Sequence, residues 1–200
     1  MLFRSTELTA AVLTRLITVV GNQGDATRQA ALTKRVEAVL LSLGDPPLLR
    51  GELDNSLATL DLANGRYTEA LAGFVKAKDA WRLALPARHV SFGGLENNLC
   101  IALNQLQRFD EAAEHCRAAV ALWRDLLGPR HGDLAKPLGN LGLALAMQGH
   151  VDEALDAQRS ALDIAEASLG PTSPMLTPRT PWRPRRAITS SRAASSRPPL

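Results

Sequence analysis

The hexapeptide Gly-Arg-Tyr-Thr-Glu-Ala at residues 65–70 decides the fold, because variants of it recur at one fixed spacing. Residues 107–112 read Gln-Arg-Phe-Asp-Glu-Ala and residues 149–154 read Gly-His-Val-Asp-Glu-Ala, each 42 positions after the previous copy. A constant period without gaps is typical of repeat architectures, in which each unit packs mainly on its neighbours.

The register also holds outside the hexapeptide. Three further columns of identical residues keep the 42-residue spacing: Leu57, Leu99 and Leu141; Ala77, Ala119 and Ala161; Leu85, Leu127 and Leu169. Single matches of common residues mean little, but several columns at one period indicate genuine repeats.

Each unit is predicted to contain two antiparallel helices, A and B. Helix A ends at Asn64-Gly65, where glycine can take the left-handed conformation that terminates a helix. Helix B begins near Thr68, and Ala70, Phe74 and Ala77 then recur on one helical face. Small residues in helix A, at the column of Ala58, Cys100 and Gly142, allow the two helices to approach closely.

These residues resemble the tetratricopeptide repeat (TPR) family, in the 42-residue form found in kinesin light chains. The segment Leu-Gly-Pro-Arg-His-Gly-Asp at residues 127–133 is similar to that family's linker. The resemblance implies an all-α, right-handed solenoid. Gln107 replaces a family glycine, and Cys116 and Gln158 replace an aromatic residue, which predicts looser packing in the second and third units.

Before and after the clear repeats the pattern weakens. Residues 1–49 are predicted to form a degenerate helical repeat. The segment at residues 50–55 that follows it resembles the carboxy-terminal repeat regions of bacterial eukaryotic-like Ser/Thr protein kinases. Three TPR-like repeats are expected over residues 50–174, at about 50–91, 92–133 and 134–174.

The carboxy-terminal segment, residues 175–200, is predicted to be a disordered Pro/Arg/Ser-rich tail, since it cannot bury an apolar face. Residues 171–200 hold seven of the twelve prolines and six arginines, with no acidic residue. Three interpretations stay open: a genuine flexible tail, a truncated or frame-shifted array, and a basic segment for acidic partners. The last repeat then lacks a capping helix, so we expect Leu155, Leu162 and Ile164 to be exposed and to promote self-association.

Composition narrows the functional classes. The chain of 200 residues is 46% hydrophobic but only 4% aromatic, which argues against a β-sandwich or barrel. Without the tail arginines, the net charge of +3 becomes about −3 for residues 1–170, so nucleic-acid binding by the body is not expected. No apolar run is long enough to span a membrane.

The sequence contains no phosphate-binding loop, hydrolase nucleophile elbow, zinc-protease motif or kinase catalytic motif. We therefore expect a non-enzyme with no cofactor and no metal site. Cys100 and Cys116 are expected to be buried, reduced small residues, which together with the absence of a signal peptide predicts a cytoplasmic protein.

The family resemblance implies that the A helices line a concave surface that binds an extended peptide or a partner helix. An alternative is that Asn98 and Asn140 hold neighbouring repeats together. The functional hypothesis is a protein–protein interaction scaffold of a bacterial signalling system. The alternative is a regulatory carboxy-terminal fragment of a Ser/Thr protein kinase without its catalytic domain. The partner-binding candidates are Asn55, Thr59, Asn97, Asn98, Ile101, Asn104, Gln105, Lys136, Asn140 and Leu143.

Overall fold

The computed structural model describes residues 2–169, and every regular element in that range is helical. Four helix pairs follow one another along the chain, which confirms the all-α expectation. A single 3-10 turn at Gly132–Leu134 precedes the seventh α-helix. The helices are α1 (Leu2–Asn22), α2 (Ala26–Ser42), α3 (Pro47–Ala63), α4 (Tyr67–Ala84), α5 (Val90–Gln105), α6 (Phe109–Leu127), α7 (Ala135–Met147) and α8 (Val151–Leu169).

One turn geometry joins helix A to helix B in the three clear repeats. The second residue after each A helix has a positive φ: 74° at Gly65, 59° at Gln107 and 85° at Gly149. The next backbone N–H then donates to a carbonyl five residues back, as from Arg66 to Asp61 at 2.8 Å. This is the Schellman pattern, which satisfies the last carbonyls of a helix. Gln107 therefore adopts a backbone conformation that normally favours glycine.

Within a pair, the helices meet where one side chain is very small. A Cβ placed on Gly93 would lie only 2.1 Å from Nε1 of Trp123, and one on Gly51 would lie 2.3 Å from Cδ1 of Trp81. The late tryptophan of helix B thus lies directly against a glycine of helix A. Trp81 also contacts Phe92 of the next repeat edge-on, at a ring-centroid distance of 6.2 Å.

The core runs along the solenoid as successive clusters. Leu95 and Leu99 of α5 pack on Phe74 and Trp81 of the preceding repeat. Because each cluster joins neighbouring pairs, the architecture is quasi-one-dimensional, as the repeat period predicts.

The expectation that the two cysteines are reduced and separate is wrong. Cys100 of α5 and Cys116 of α6 are both fully buried and form a disulfide, with their Cα atoms 5.3 Å apart. Their separation of 16 residues is also that of Ala58 and Phe74, the residues at the A–B contact of the first clear repeat. The repeat register therefore places the cysteines opposite each other, and the second unit is covalently closed rather than loosened.

At the carboxy-terminal end, Leu155 and Leu162 of α8 are exposed as expected, but Ile164 is not. Its side chain is only 9% exposed, because it packs with Val120, Trp123 and Leu134. The predicted disordered tail lies outside the described residues. None of the helices in the described range is both long and apolar enough to cross a membrane.

Candidate functional site

The A helices α3, α5 and α7 carry all ten candidate residues. The structure divides these residues by accessibility. Gln105, Lys136 and Leu143 are exposed, whereas Asn97 and Asn104 are buried. The remaining candidates are half-buried: Asn55, Thr59, Asn98, Ile101 and Asn140.

Three of the candidate amides connect neighbouring repeats. Nδ2 of Asn140 on α7 donates to Oδ1 of Asn97 on α5 at 3.1 Å. Nδ2 of Asn104 donates to the backbone carbonyl of Asn140, also at 3.1 Å. These residues therefore hold α5 against α7. The expected structural role of Asn140 is confirmed, but its partners are Asn97 and Asn104 rather than Asn98.

Asn98 forms no side-chain hydrogen bond within the described part of the chain, so its amide is available to both a donor and an acceptor. Ile101 follows three residues later and Gln105 seven residues later, on the same face of α5. On α7, the side chain of Leu143 is 46% exposed and that of Met147 is 58% exposed. The α5–α7 surface, defined by Asn98, Ile101, Gln105, Lys136, Leu143 and Met147, combines free amides, one cation and exposed apolar groups.

The first clear repeat is chemically different. The Thr59 hydroxyl donates to the Asn55 carbonyl at 2.7 Å and is satisfied within α3. Burial raises the pKa of Glu52 above its ordinary value, although Arg15 opposes the shift. Burial also raises the pKa of Asp54, with Arg50 as the main opposing charge. The A-helix series thus changes from acidic at α3 to amide-rich at α5 and apolar with one lysine at α7.

A partly buried network of charged and hydrogen-bonding side chains that sequence reasoning missed joins α4, α5 and α6. Glu96 lies 2.5 Å from Nζ of Lys78 and 2.5 Å from Nδ1 of His115. Burial by itself would raise the pKa of Glu96, but the hydrogen bonds from His115 and Lys78 outweigh it and lower the pKa. The 42-residue repeat does not predict this network, because a glutamate is not repeated at its central position: the equivalents of Glu96 are Asp54 and Leu138. The network stabilises the repeat contact.

Two clefts lie between successive B helices, and the A helix between them also contributes to each lining. The α4–α6 cleft, of about 260 Å³, includes Arg82 and Leu122 among its lining residues. The α6–α8 cleft, of about 620 Å³, includes Arg124 and Ile164, which stand 42 positions after those two residues. The clefts are therefore equivalent positions in adjacent repeats, and none of the ten candidates lines them.

No group of three or more His, Cys, Asp or Glu residues that could hold a metal ion occurs in residues 2–169. Among the described histidines, His115 belongs to the Glu96 network, and Nδ1 of His131 accepts from the Asp133 backbone N–H at 3.3 Å. His89 accepts in the same way from the backbone N–H of Ser91 at 3.3 Å. These histidines have structural partners and do not converge on one site.

Comparison with known proteins finds a family match over part of the chain. The profile of the tetratricopeptide repeat family matches residues 93–167, which run from α5 into α8. Among curated proteins, no sequence matches this chain significantly.

Solved structures show the same fold. BtubC (BKLC) from P. vanneervenii superimposes with a TM-score of 0.72 at 21% identity, over 81% of this chain and 64% of that one, less than two thirds of its length. A putative kinesin light chain with nearly identical TPR-like repeats, from Podosopora anserina, gives a TM-score of 0.68 at 20% identity, over 84% of this chain and 80% of that one. MamA MSR-1 C2 gives a TM-score of 0.55 at 23% identity, over 80% of this chain and 78% of that one. At these identities the likeness shows a TPR-type helical solenoid.

Proposed function

Because its described repeats are of the tetratricopeptide type, we propose that this chain is a non-catalytic scaffold that binds a peptide or partner protein. Repeats of this type are protein–protein interaction modules. We place the binding site on the α5–α7 surface. The single observation that carries the proposal is that α7 exposes Leu143 and Met147 while the Asn98 amide on the neighbouring α5 has no hydrogen-bond partner among the described residues.

The chemistry of this surface suits an extended peptide. The Asn98 and Gln105 amides can each donate to and accept from a peptide backbone. Leu143 and Met147 offer apolar contact, and methionine adapts its shape to varied side chains. Lys136 adds a cation for a carboxylate. The ligand class is therefore an extended segment with apolar side chains and one acidic group.

Three asparagines position this surface by forming hydrogen bonds between α5 and α7: Asn97, Asn104 and Asn140. Asn55 and Thr59 belong to the more acidic α3 and are not part of the α5–α7 surface. We therefore assign direct contact to the candidates that belong to the α5–α7 surface, Asn98, Ile101, Gln105, Lys136 and Leu143, and a positioning role to the three bridging asparagines.

Selection from a random peptide library tests the proposal. The full chain serves as bait, with Leu143→Glu as the site variant and Leu83→Glu as the control, since Leu83 is 80% exposed on α4. We expect wild type and the control to enrich the same apolar-acidic peptides, and the site variant to lose them. Enrichment of the same peptides by all three proteins would refute the α5–α7 assignment.

A role in bacterial signalling and a cytoplasmic location stay predictions. The Cys100–Cys116 disulfide weighs against a reducing compartment, where such bonds are rare. Thiol labelling of the protein extracted from its source distinguishes the two environments, because only the reduced form takes up the label after denaturation.

The alternative, a regulatory fragment of a Ser/Thr kinase, also stays a prediction. Apart from the resemblance at residues 50–55, no observation favours it over an independent scaffold. A kinase domain encoded in the same reading frame, upstream of this segment, would support it.

A further inference from the structure

Each end of the described solenoid exposes an apolar stripe. On α1 the stripe consists of Leu8, Val12, Leu16 and Val19, spaced by four, four and three residues, which places them on one helical face. On α8 it consists of Val151, Leu155 and Leu162. Interior repeats show what normally covers the equivalent positions.

The α1 stripe corresponds to the face of an A helix that packs on the preceding repeat. The positive-φ glycine of the first turn, Gly24, lies 41 residues before Gly65, so Val12 corresponds to Leu53, 41 positions later, and then to Leu95. Val12 is 55% exposed, whereas Leu53 and Leu95 are 0% and 1% exposed. Leu53 is covered by α1 and α2, and Leu95 by α4.

The α8 stripe corresponds to the face of a B helix that packs on the following repeat. Leu155 and Leu162 are 48% and 46% exposed, but their equivalents in α6, Ala113 and Val120, are 0% and 7% exposed. Ala113 clusters with residues of α7 such as Leu141. What covers this face inside the array is therefore the next A helix.

We propose that a second copy of this chain covers the α8 stripe with its α1 stripe, head to tail. The two stripes are opposite halves of the contact that joins neighbouring repeats inside the molecule, so the intermolecular interface continues an established one. It uses neither the α5–α7 surface nor its ligand, and is independent of the proposed function.

The helix charges favour this pairing over two like ends. α8 carries five carboxylates and one arginine, whereas α1 carries two arginines and one glutamate. An α8–α8 contact would bring two acidic helices together, at a cost in free energy. A head-to-tail contact is heterologous, so each added copy leaves one stripe of each kind open and association can continue beyond a dimer.

Sedimentation velocity of the full chain between about 10 and 200 micromolar tests the proposal, because association follows mass action. The α8 variant combines Leu155→Glu with Leu162→Glu, and the α1 variant combines Val12→Glu with Leu16→Glu. Leu41→Glu is the matched control, since Leu41 is 70% exposed on α2, outside both stripes. Circular dichroism checks that each variant keeps its helices, and glutamine replaces glutamate at any pair that does not.

We expect the mean mass of wild type and Leu41→Glu to grow with concentration beyond a dimer, and each stripe variant alone to stay monomeric. An equimolar mixture of the two variants should form a dimer and nothing larger, because only one intact stripe of each kind remains. A monomeric wild type, a stripe variant that associates like wild type, or a mixture that stays monomeric would each overturn the proposal.

Discussion

Gly93→Ala changes one hydrogen to a methyl group at the tightest contact between α5 and α6. The new Cβ would lie 2.1 Å from Nε1 and 2.3 Å from Cδ1 of Trp123, so the indole must move. That movement would break the bond from Trp123 Nε1 to the Val90 carbonyl, now 3.0 Å long. Forced overpacking costs about 1–3 kcal/mol, and a buried donor left unsatisfied costs about 1–3 kcal/mol.

Alanine also gains about 1 kcal/mol over glycine inside a helix, which offsets part of this loss. We therefore expect the free energy of unfolding to fall by about 1–5 kcal/mol. The neighbouring Gly94 provides the matched control, because a Cβ there meets only Cζ2 of Trp123 at an ordinary 3.6 Å. Gly94→Ala should therefore leave stability unchanged or raise it by up to about 1 kcal/mol.

Urea denaturation followed by circular dichroism measures both variants, and the double variant Gly93→Ala/Trp123→Ala isolates the contact. The third repeat has Ala135 and Ala165 at these two positions, so this alanine pair occurs naturally in the array. Adding Gly93→Ala to Trp123→Ala should not lower the free energy of unfolding any further. If Gly93→Ala is as stable as Gly94→Ala, or costs as much without Trp123 as with it, the packing argument is wrong.

Three further expectations follow from single contacts. Gln107→Gly should raise the free energy of unfolding by about 1 kcal/mol, because Gln107 has a φ of 59°, which strains a residue other than glycine. Urea denaturation measures the change, and a lower free energy of unfolding in the variant would contradict the strain. Because the pKa of Glu96 is lower in the folded state, its carboxylate stabilises the fold at pH values above the ordinary pKa of 4.5, and this stability is lost as the pH falls through the folded-state pKa. Glu96→Gln should therefore weaken the fall in melting temperature on the acid side. An unchanged slope in a pH series of melting temperatures would count against this role. Reducing the Cys100–Cys116 bond, which closes a 16-residue separation, should cost about 3 kcal/mol, whereas a Cys116→Ala chain should melt alike with and without reductant.

The repeat pattern was sufficient to predict the helices and their pairing. A period of 42 with a left-handed residue at each turn restricts the topology, because a chain that reverses direction at Gly65 packs its next helix on the apolar face of the previous one. The same repeat alignment also places the two cysteines in contact, because Cys100 and Cys116 occupy the positions of Ala58 and Phe74, which meet in the first clear repeat. Period and local helix signals are properties of contiguous sequence, so they can be recognised without coordinates.

Which amides remain available for binding was decided only by the tertiary structure. Asn97 and Asn98 are adjacent on α5, yet Asn97 is buried and accepts from Asn140, whereas Asn98 forms no side-chain hydrogen bond with any described residue. That difference depends on how far α5 and α7 are rotated and shifted relative to each other, which is set by packing across the whole repeat. The Glu96–Lys78–His115 network depends in the same way on three helices meeting at one point. Helical periodicity determines which residues share a face, but the neighbour that covers this face is determined by packing between the repeats.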